Sequence, residues 1–296
     1  MTTRFGAVGV FGRANAGKST LVNALVGEIV SIVSNRPQTT RKRVLGILTV
    51  DQTQLVFCDT PGLHAIKNKL DAYMNDEIMA TMKGLQAGMY LADLSDIKFD
   101  LDKEYISQLD PDSNMPMFMV LNKSDLVEET TVEEAVKAYE ELYPFKKIFV
   151  ISAHKKKGLK QLLQALCRAV PKGPHAYDAD DYTSLTEREI VEESIREVIL
   201  RSFEQEVPHS VAVQVEQFKE RENGKTYIEA TLNVEREAHK KIIIGKDGAQ
   251  IKKIGKIARE KLNTILGRDI FLQLWVKVRP DWRHNDLWIQ RLGYKK

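Results

Sequence analysis

The chain has 296 residues and a net charge of +3, with 43% hydrophobic and 29% charged residues, a composition typical of a soluble globular protein with room for two cores. Its apolar runs are too short to cross a bilayer, and two cysteines, Cys58 and Cys167, are too few for a disulfide framework or a four-ligand zinc site. These features exclude a membrane-spanning protein and a cysteine-rich secreted domain, so we expect a reduced, cytoplasmic protein without a signal peptide.

A glycine-rich phosphate loop follows the first predicted strand. The motif Gly12-Arg-Ala-Asn-Ala-Gly-Lys-Ser19 matches G-x-x-x-x-G-K-[ST], comes after an apolar stretch at residues 5–11, and opens a predicted helix at residues 19–26. In this setting backbone N–H groups wrap a phosphate chain, Lys18 neutralises the β- and γ-phosphate oxygens, and Ser19 offers its hydroxyl to Mg²⁺. The residues predicted to surround the phosphates are Gly12, Asn15, Ala16, Gly17, Lys18, Ser19 and Thr20.

Two polar segments flank the next predicted strand, at residues 54–58. Upstream, residues 34–41 contain adjacent threonines, of which we expect the second, Thr40, to complete the metal shell. Downstream, the pattern D-x-x-G places Asp59 where it would hold Mg²⁺ through water, and Gly62 where its N–H could contact the γ-phosphate. The predicted metal ligands are Ser19, Thr40 and Asp59, and the predicted catalytic groups are Lys18, Thr40 and Gly62.

Leu63 bears on the rate of any hydrolysis. Ras-like GTPases place a glutamine just after the glycine of D-x-x-G, where it orients the attacking water. Leucine cannot do this, so hydrolysis supported by the Gly62 backbone and the metal alone should be slow and should need a partner or K⁺ for speed. A protein that senses GTP with negligible turnover is therefore one alternative.

The predicted strands alternate with helical stretches throughout the first half of the chain. Besides the two already described, apolar strands are predicted at residues 88–91, 117–121 and 147–151. Strands separated by helices form βαβ units, so we expect a mainly parallel sheet with both faces covered by helices.

A second motif indicates the base of the nucleotide. Asn122-Lys-Ser-Asp125 and Ser152-Ala153 each follow the end of a predicted strand. A carboxylate at Asp125 can accept two hydrogen bonds, from N1–H and the exocyclic amine of guanine, whereas adenine lacks both donors at these positions. The sequence therefore favours GTP, with a P-loop ATPase or kinase as the alternative. The residues predicted around guanine are Asn122, Lys123, Asp125, Ser152 and Ala153.

The chain changes character at residues 171–185, which are rich in Pro, Gly, Asp and Ser and lack any period. Thr186 and Glu189 then fit a capping box at the start of an amphipathic helix. Alternating strands at residues 211–215 and 228–234, a helix–turn–helix segment and a last strand at residues 270–278 follow. The predicted element order of the second half is α-β-β-α-α-β.

Positive charge is concentrated in this second half. Residues 211–296 contain 19 Lys and Arg against 11 Asp and Glu, a charge of +8, whereas the rest of the chain contains 25 against 30, a charge of −5. This asymmetry indicates a polyanionic partner for the C-terminal part. A solvated basic face without a partner is the alternative.

The segment Gly245-Lys-Asp-Gly248 lies between the two helices of the helix–turn–helix segment, with isoleucines before and after it. Its glycines let a nucleic-acid backbone approach closely, and Lys246 with the N-terminus of the next helix offers positive charge to phosphate. Asp247 is expected either to cap that helix or to lower the affinity. The residues predicted to contact nucleic acid are Ile244, Gly245, Lys246, Asp247, Gly248, Lys252 and Lys253.

Together, the motifs GRANAGKS, TTR, DTPG, NKSD and SA resemble those of GTPases of the translation-factor-related class. Because DTPGLH is joined to an α-β-β-α-α-β domain that resembles a type II KH domain, the chain most resembles the Era family over nearly its entire length. Era-type loops usually have Pro-Asn-Val where this chain has Ala14-Asn15-Ala16. The retained Asn15 is the residue that helps to coordinate K⁺ in some relatives.

The resemblance implies a Ras-like α/β GTPase domain at residues 3–172, a linker at 173–185 and a KH domain with a C-terminal extension at 186–296. It also implies GTP and GDP with Mg²⁺, binding of single-stranded RNA near the 3′ end of small-subunit ribosomal RNA, and a role in assembly of the small ribosomal subunit. We expect a monomer, and peripheral contact with the inner face of the membrane is a further alternative, although no amphipathic anchor supports it.

Overall fold

The computed structural model describes residues 2–34, 39–62, 66–82, 84–108, 115–221 and 224–294. The chain forms two compact units, one made of Met1–Ala65 and Met74–Ser184 and the other of Ile66–Tyr73 and Leu185–Lys296. In chain order, the elements up to the end of α5 are β1 (Arg4–Gly12), α1 (Lys18–Val26), β2 (Val44–Val50), β3 (Thr53–Asp59), α2 (Lys69–Met82), β4 (Ala87–Asp93), α3 (Phe99–Ile106), β5 (Met117–Asn122), α4 (Glu129–Glu140), β6 (Lys147–Val150) and α5 (Leu159–Ala169).

The first unit is built on a six-stranded sheet in the order β2-β3-β1-β4-β5-β6. All neighbouring strands are parallel except β2, which runs antiparallel to β3. The predicted mainly parallel sheet is therefore confirmed. Strand β2 was not predicted from the sequence, although its residues form a hairpin with β3 through a turn in which Asp51 has a φ of 50°.

Both faces of this sheet are covered, as expected for parallel strands. Alternate residues of the central strands belong to two separate hydrophobic clusters: Met89 and Val120 pack in one, and Tyr90 and Met119 in the other. Because successive side chains of a strand point to opposite faces, the two clusters lie on opposite sides of the sheet. This arrangement presents the carboxyl ends of the parallel strands at one edge, where loops can form a site.

Residues 172–183 follow the edge of the first sheet. Thr183 forms an antiparallel bridge with Gly46 of β2, and the Tyr182 carbonyl accepts a hydrogen bond of 2.9 Å from the Ile47 N–H. The buried side chain of Gln54 also accepts hydrogen bonds from the Ala176 and Tyr177 N–H groups, at 2.9 and 3.0 Å. Much of the predicted linker is thus hydrogen-bonded to β2, β3 and the turn between them.

The second unit contains a three-stranded sheet with the order β7-β8-β9, in which β7 and β8 are antiparallel and β8 and β9 are parallel. Its elements are α6 (Glu187–Ser202), β7 (Ala212–Glu220), β8 (Thr226–Val234), α7 (Glu237–Ile244), α8 (Ala249–Leu266), β9 (Ile270–Val278) and α9 (Asp286–Arg291). The predicted α-β-β-α-α-β order is confirmed, and α9 follows it as an extension. The parallel pair needs a crossover connection, which α7 and α8 provide.

One hydrophobic cluster unites the helices and the sheet of the second unit. It contains Ile195 from α6, Ile243 from α7, Ile254 from α8 and Leu232 from β8, all of them fully buried. The predicted capping box at the start of α6 is confirmed, since the Thr186 side chain accepts from the Glu189 N–H while the Glu189 carboxylate accepts from the Thr186 N–H. Within the described residues, no helix combines the length and the apolar character that a bilayer crossing requires.

Candidate functional site

The phosphate loop connects β1 to α1, and its turns depend on residues that tolerate a positive φ. Gly17 precedes α1 with a φ of 95°, and a Cβ added there would lie 2.3 Å from Asn122 Nδ2. Asn15 has a φ of 66°, which asparagine adopts more readily than most residues. The loop borders a cleft of about 350 Å³ at the carboxyl edge of the sheet, which Thr20 also lines.

Lys18 is buried, and carbonyl groups of the phosphate loop orient its side chain. Its Nζ donates hydrogen bonds of 2.9 Å to the carbonyl oxygens of Gly12 and Arg13. Burial lowers the pKa of Lys18 to about 8, although the neighbouring Asp59 carboxylate acts in the opposite direction. An ammonium group has three N–H donors, so two carbonyls leave one donor for a phosphate oxygen in the cleft.

Three predicted metal ligands lie together. Ser19 Oγ donates to Asp59 Oδ2 at 2.7 Å, and Thr40 Oγ1 lies 2.9 Å from Ser19 Oγ and 3.5 Å from Asp59 Oδ2. The Thr39 hydroxyl instead donates to the Ser34 carbonyl at 3.5 Å. Of the two adjacent threonines, the structure therefore places Thr40 beside Ser19 and Asp59.

The environment of Asp59 fits a divalent cation. Its side chain is fully buried, and burial raises its pKa, while the hydrogen bond from Ser19 and the charge of Lys18 act in the opposite direction. Among the described residues, Asp59 Oδ1 has no hydrogen-bond partner. Mg²⁺ prefers oxygen ligands, and a carboxylate beside two hydroxyls supplies them. Bound Mg²⁺ would also compensate the buried negative charge.

Gly62 brings the D-x-x-G segment against the phosphate loop. A Cβ added at Gly62 would lie 2.7 Å from Ala14 Cα and 2.8 Å from Ala14 N, closer than real Cβ contacts allow. A larger residue here would push the two segments apart, so glycine is required for this close approach. Leu63 lies outside the described residues, as do residues 35–38 of the upstream segment.

The predicted base-reading residues meet at the ends of β5 and β6. Asn122 Nδ2 donates to the Ala16 carbonyl at 2.9 Å, and Asn122 Oδ1 accepts from the Ala153 N–H at 3.0 Å. Asn122 therefore connects the phosphate loop to the Ser152-Ala153 segment. Asp125 is exposed, and its hydrogen bond with the buried Ser152 lowers its pKa, which keeps the carboxylate ionised as an acceptor.

Asp93 was not selected from the sequence, yet it lines the same cleft. Its carboxylate forms an ion pair with Lys123 and accepts a hydrogen bond of 2.9 Å from the Ser95 N–H. Lys123 is itself in the left-handed region, with a φ of 65°. The available signal was the position of Asp93 at the carboxyl end of β4, the edge at which ligands bind in such sheets.

A second groove, of about 430 Å³, lies between α8 and the edge strand β9. Its lining residues combine an apolar floor with three cations: Ile251, Lys252, Gly255, Lys256, Arg259, Leu272, Gln273 and Leu274. Ile254, one turn from Ile251, is instead fully buried in the core. Of the isoleucines of α8, Ile251 thus lines this groove and Ile254 lies in the core, whereas Ile257 lines a separate groove between α6 and α8.

The turn before α8 adopts left-handed backbone conformations. Gly245, Asp247 and Gly248 have φ values of 71°, 51° and 75°. Gly248 is the N-cap of α8, and no side-chain hydrogen bond caps the helix there. Of the two roles expected of Asp247, capping of this helix is therefore wrong. Lys246 and Asp247 are exposed on this turn, and Ile244 ends α7 just before it.

Two adjacent lysines of α8 lie on different sides of the helix. Lys252 lines the groove beside β9, whereas Lys253 lines a separate groove between α6 and α8 together with Glu197 and Lys261. The structure therefore brings Lys252, but not Lys253, to the groove that follows Gly245–Gly248.

The tryptophans have distinct roles. Trp282 is fully buried, and its Nε1 donates to the Ser210 carbonyl at 2.8 Å. Trp288 lies beneath the guanidinium of Arg279, 4.5 Å from the ring centroid. Trp275 on β9 is instead 49% exposed.

Comparisons with known proteins match both parts of the chain. Residues 7–123 match the model of the 50S ribosome-binding GTPase family, and residues 206–283 match the KH domain model. GTPase Era of Ruminiclostridium cellulolyticum is 41% identical over 295 residues, covering 100% of this chain and 99% of that protein. GTPase Era of Caldanaerobacter subterraneus is 42% identical over 295 residues, with 99% of each chain covered.

Solved structures agree over the same length. Era in complex with MgGDPNP and nucleotides 1506–1542 of 16S ribosomal RNA superposes with a TM-score of 0.95 at 33% identity, covering 99% of this chain and 100% of that chain. A variant of Aquifex aeolicus Era bound to GDP and AlF₄⁻ gives the same TM-score, identity and coverage.

Proposed function

This chain belongs to the Era family of GTPases, and from that premise we propose that it is a GTP-controlled switch acting on single-stranded RNA near the 3′ end of small-subunit ribosomal RNA and assisting assembly of that subunit. The observation that carries this proposal is the presence in one chain of a phosphate-loop cleft and a basic groove after Gly245–Gly248. A family member of the same fold holds a GTP analogue and ribosomal RNA together.

We propose the following roles in hydrolysis. Asn122 positions the loops around guanine, Asp125 reads its N–H donors, and the phosphate-loop amides with Lys18 hold the phosphate chain. Ser19, Thr40 and Asp59 would hold Mg²⁺, which when bound neutralises charge on the β- and γ-phosphate oxygens.

The Gly62 N–H would donate to the γ-phosphate while a water attacks the phosphorus atom in line. The bond to the β–γ bridging oxygen then breaks, giving GDP and phosphate.

Slow intrinsic turnover and a K⁺ requirement are part of the proposal. Leu63 cannot orient water, and Asn15 lines the cleft where a monovalent cation would add positive charge beside the phosphates. We expect single-turnover hydrolysis without RNA to be slow in sodium buffer and at least about tenfold faster in potassium buffer. The Asn15→Ala variant should lose the potassium response. Hydrolysis in sodium buffer as fast as that of a stimulated GTPase would contradict this part.

The remaining partners follow from the same premise. We propose a cytoplasmic monomer that acts on the small ribosomal subunit. Contact with the inner face of the membrane is the weaker alternative, because the basic surface of the C-terminal part already has a polyanionic partner in RNA. An ATPase or kinase is not supported, since the relatives that match the full length of the chain are GTPases.

RNA titration tests the function directly. Short single-stranded RNAs, including the 3′ tail of small-subunit ribosomal RNA, would be added to protein loaded with GDP or a non-hydrolysable GTP analogue, at two salt concentrations. We expect sequence-selective binding, measured by the anisotropy of labelled RNA, that differs between the two nucleotides. Binding that is blind to sequence and to nucleotide, and is abolished by salt, would leave a GTPase with a basic face only.

A matched pair of substitutions controls for folding. Gly248→Asp places a carboxylate at the turn beside the groove. The atom nearest to a Cβ added there is Lys252 Cε, at 4.0 Å. Gly267→Asp makes the same change at a φ of 63° beyond the other end of α8, with no atom within 4 Å of the added Cβ. We expect Gly248→Asp to lose RNA binding and Gly267→Asp to keep it.

A further inference from the structure

Arg13, the second residue of the phosphate loop, points its side chain away from the nucleotide cleft. The side chain is almost fully buried, and its Nε donates to Asp102 Oδ1 at 2.9 Å. Its Nη2 donates to the Asp96 carbonyl at 2.7 Å. The guanidinium is therefore held from two directions, by the first turn of α3 and by the loop after β4.

Asp102 is fully buried and accepts from three side chains. Besides Arg13, the Tyr90 hydroxyl donates to Oδ1 at 2.8 Å and the Tyr139 hydroxyl donates to Oδ2 at 2.6 Å. Tyr90 belongs to β4 and Tyr139 to α4, and both pack in the hydrophobic cluster that also contains Ile106 of α3. The Asp102 carboxylate of α3 thus accepts hydrogen bonds from the phosphate loop, β4 and α4. None of the three donor residues lines the nucleotide cleft.

Arg13 and Asp102 form a buried ion pair at the centre of this cluster. Burial alone would lower the pKa of Arg13, but the Asp102 charge and hydrogen bond outweigh it and raise the pKa above its usual value. Burial, with the charge of Asp102 and its hydrogen bond, raises the pKa of both Tyr90 and Tyr139, which keeps their hydroxyls protonated as donors. Every contact of the carboxylate is therefore charge-assisted.

The main chain of Arg13 connects this cluster to Lys18. The Arg13 carbonyl is one of the two oxygens, each at 2.9 Å, that accept from Lys18 Nζ and direct its third N–H towards the phosphates. A backbone carbonyl in a loop is fixed only as well as the loop itself. In this loop the Arg13 side chain is also anchored, by its hydrogen bond to the buried Asp102 carboxylate.

We propose that Asp102 is a positioning residue for GTP binding and hydrolysis: by anchoring the Arg13 side chain, it fixes the Arg13 carbonyl that orients Lys18. Asp102 touches neither nucleotide nor metal and acts only through Arg13. The proposal rests on the proposed nucleotide role of Lys18. Its test uses no RNA, so its failure is distinguishable from failure of the RNA-dependent switch.

The chain offers a control in the same cluster. Tyr139 donates to Oδ2 of the same carboxylate and is equally buried, and among the described residues its hydroxyl makes no hydrogen bond to the phosphate loop. Tyr139→Phe removes one hydrogen bond to Asp102 and leaves Arg13 in place. We expect it to lower the melting temperature while changing GDP affinity and kcat by less than about twofold.

Asp102→Asn and Arg13→Gln should each weaken GDP binding, measured by calorimetry, by at least about tenfold and should lower kcat further, because Lys18 acts on charge that grows in the transition state. The double variant should bind GDP no more weakly than either single variant, since the two residues act through one contact. The preference for GTP over xanthosine triphosphate should stay as in the wild type, because Asp125 is untouched.

Two outcomes would overturn the proposal. One is wild-type GDP affinity and kcat in folded Asp102→Asn. The other is a loss in Tyr139→Phe equal to that in Asp102→Asn at the same melting temperature, which would assign a merely structural role to the cluster. If Asp102→Asn does not fold, Arg13→Lys keeps the positive charge but loses the planar fork, and it should reproduce the loss in GDP affinity.

Discussion

Asn122 shows how a single residue can connect parts of a site that are distant in the sequence. Its amide donates to the Ala16 carbonyl in the phosphate loop and accepts from the Ala153 N–H, so it touches two of the other nucleotide-binding segments. Both hydrogen bonds are made to protein, and the amide keeps a second N–H donor with which it could contact the base. Asp125, the other residue predicted to read the base, is exposed, and its hydrogen bond with the buried Ser152 lowers its pKa.

Asp125→Asn should change the nucleotide preference from GTP to xanthosine triphosphate. Xanthine carries a carbonyl where guanine has its amine, and the asparagine amide can donate to that carbonyl whereas a carboxylate cannot. We expect the ratio of kcat/KM values for the two nucleotides to reverse, by about two orders of magnitude or more. The measurement is hydrolysis of each nucleotide by the variant and the wild type.

Asp51→Asn is the control for this substitution. Asp51 lies in the exposed turn between β2 and β3, where its φ of 50° suits asparagine as well as aspartate. It should keep the wild-type preference for GTP. Retained GTP preference in Asp125→Asn would mean that another group reads the base.

Helix α8 shows what the scale of an element adds to a motif. The sequence identified Gly245–Gly248 and the lysines around it, but a helix repeats every 3.6 residues, so adjacent lysines cannot face the same groove. Lys252 and Lys253 accordingly line different grooves. The RNA-binding set predicted from the sequence treated them as equivalent because both follow the same turn.

This difference gives a test with a built-in control. Lys252→Ala should reduce the salt dependence of RNA binding by about 0.7 in the slope of log K against log salt, the value for one phosphate contact on a single strand. Lys253→Ala removes the same charge one residue away and should leave the slope nearly unchanged. Equal effects of the two variants would show that the basic surface acts as a diffuse field rather than through the groove.

The sequence predicted the elements that carry strong periodic signals, and the misses have physical causes. The parallel strands, the capping box at Thr186 and the α-β-β-α-α-β order were all predicted correctly, because each has a local pattern. Strand β2 was missed although Val44–Val50 is largely apolar, since it lies beside the polar segment that was assigned to the metal shell. Its signal was the short turn at Asp51, which joins it to β3.

The site shows the same limit. Residues of the phosphate loop and of the NKSD segment could be selected from the sequence because each follows a short pattern with fixed spacing. Asp93 and Asp102 were not, because their contacts with Lys123 and Arg13 bring together residues far apart in the sequence. Nothing in the sequence around Asp102 distinguishes it from the other acidic residues of α3, yet it is fully buried.

At the scale of the whole molecule, charge and chemistry are divided in the same way. The acidic first part contains the nucleotide cleft, and the basic C-terminal part contains the groove between α8 and β9. A nucleotide is held by a few directed contacts in a closed cleft, whereas a single-stranded RNA gains from a broad positive potential along an open groove. The uneven charge distribution seen in the sequence therefore reflects two ligands that need different kinds of electrostatic environment.

The pairing of residues 182–183 with β2 has a consequence for solubility. An edge strand with unpaired N–H and C=O groups is a template on which a second copy of the chain can add its own strand. Here the Tyr182 carbonyl occupies the Ile47 N–H, and Thr183 lies opposite Gly46. Residues 182–183 thus cover the edge of the sheet at β2 and protect it against edge-to-edge self-association. A fragment cut at residue 172 would lose that shield, whereas one ending at Ser184 would keep it.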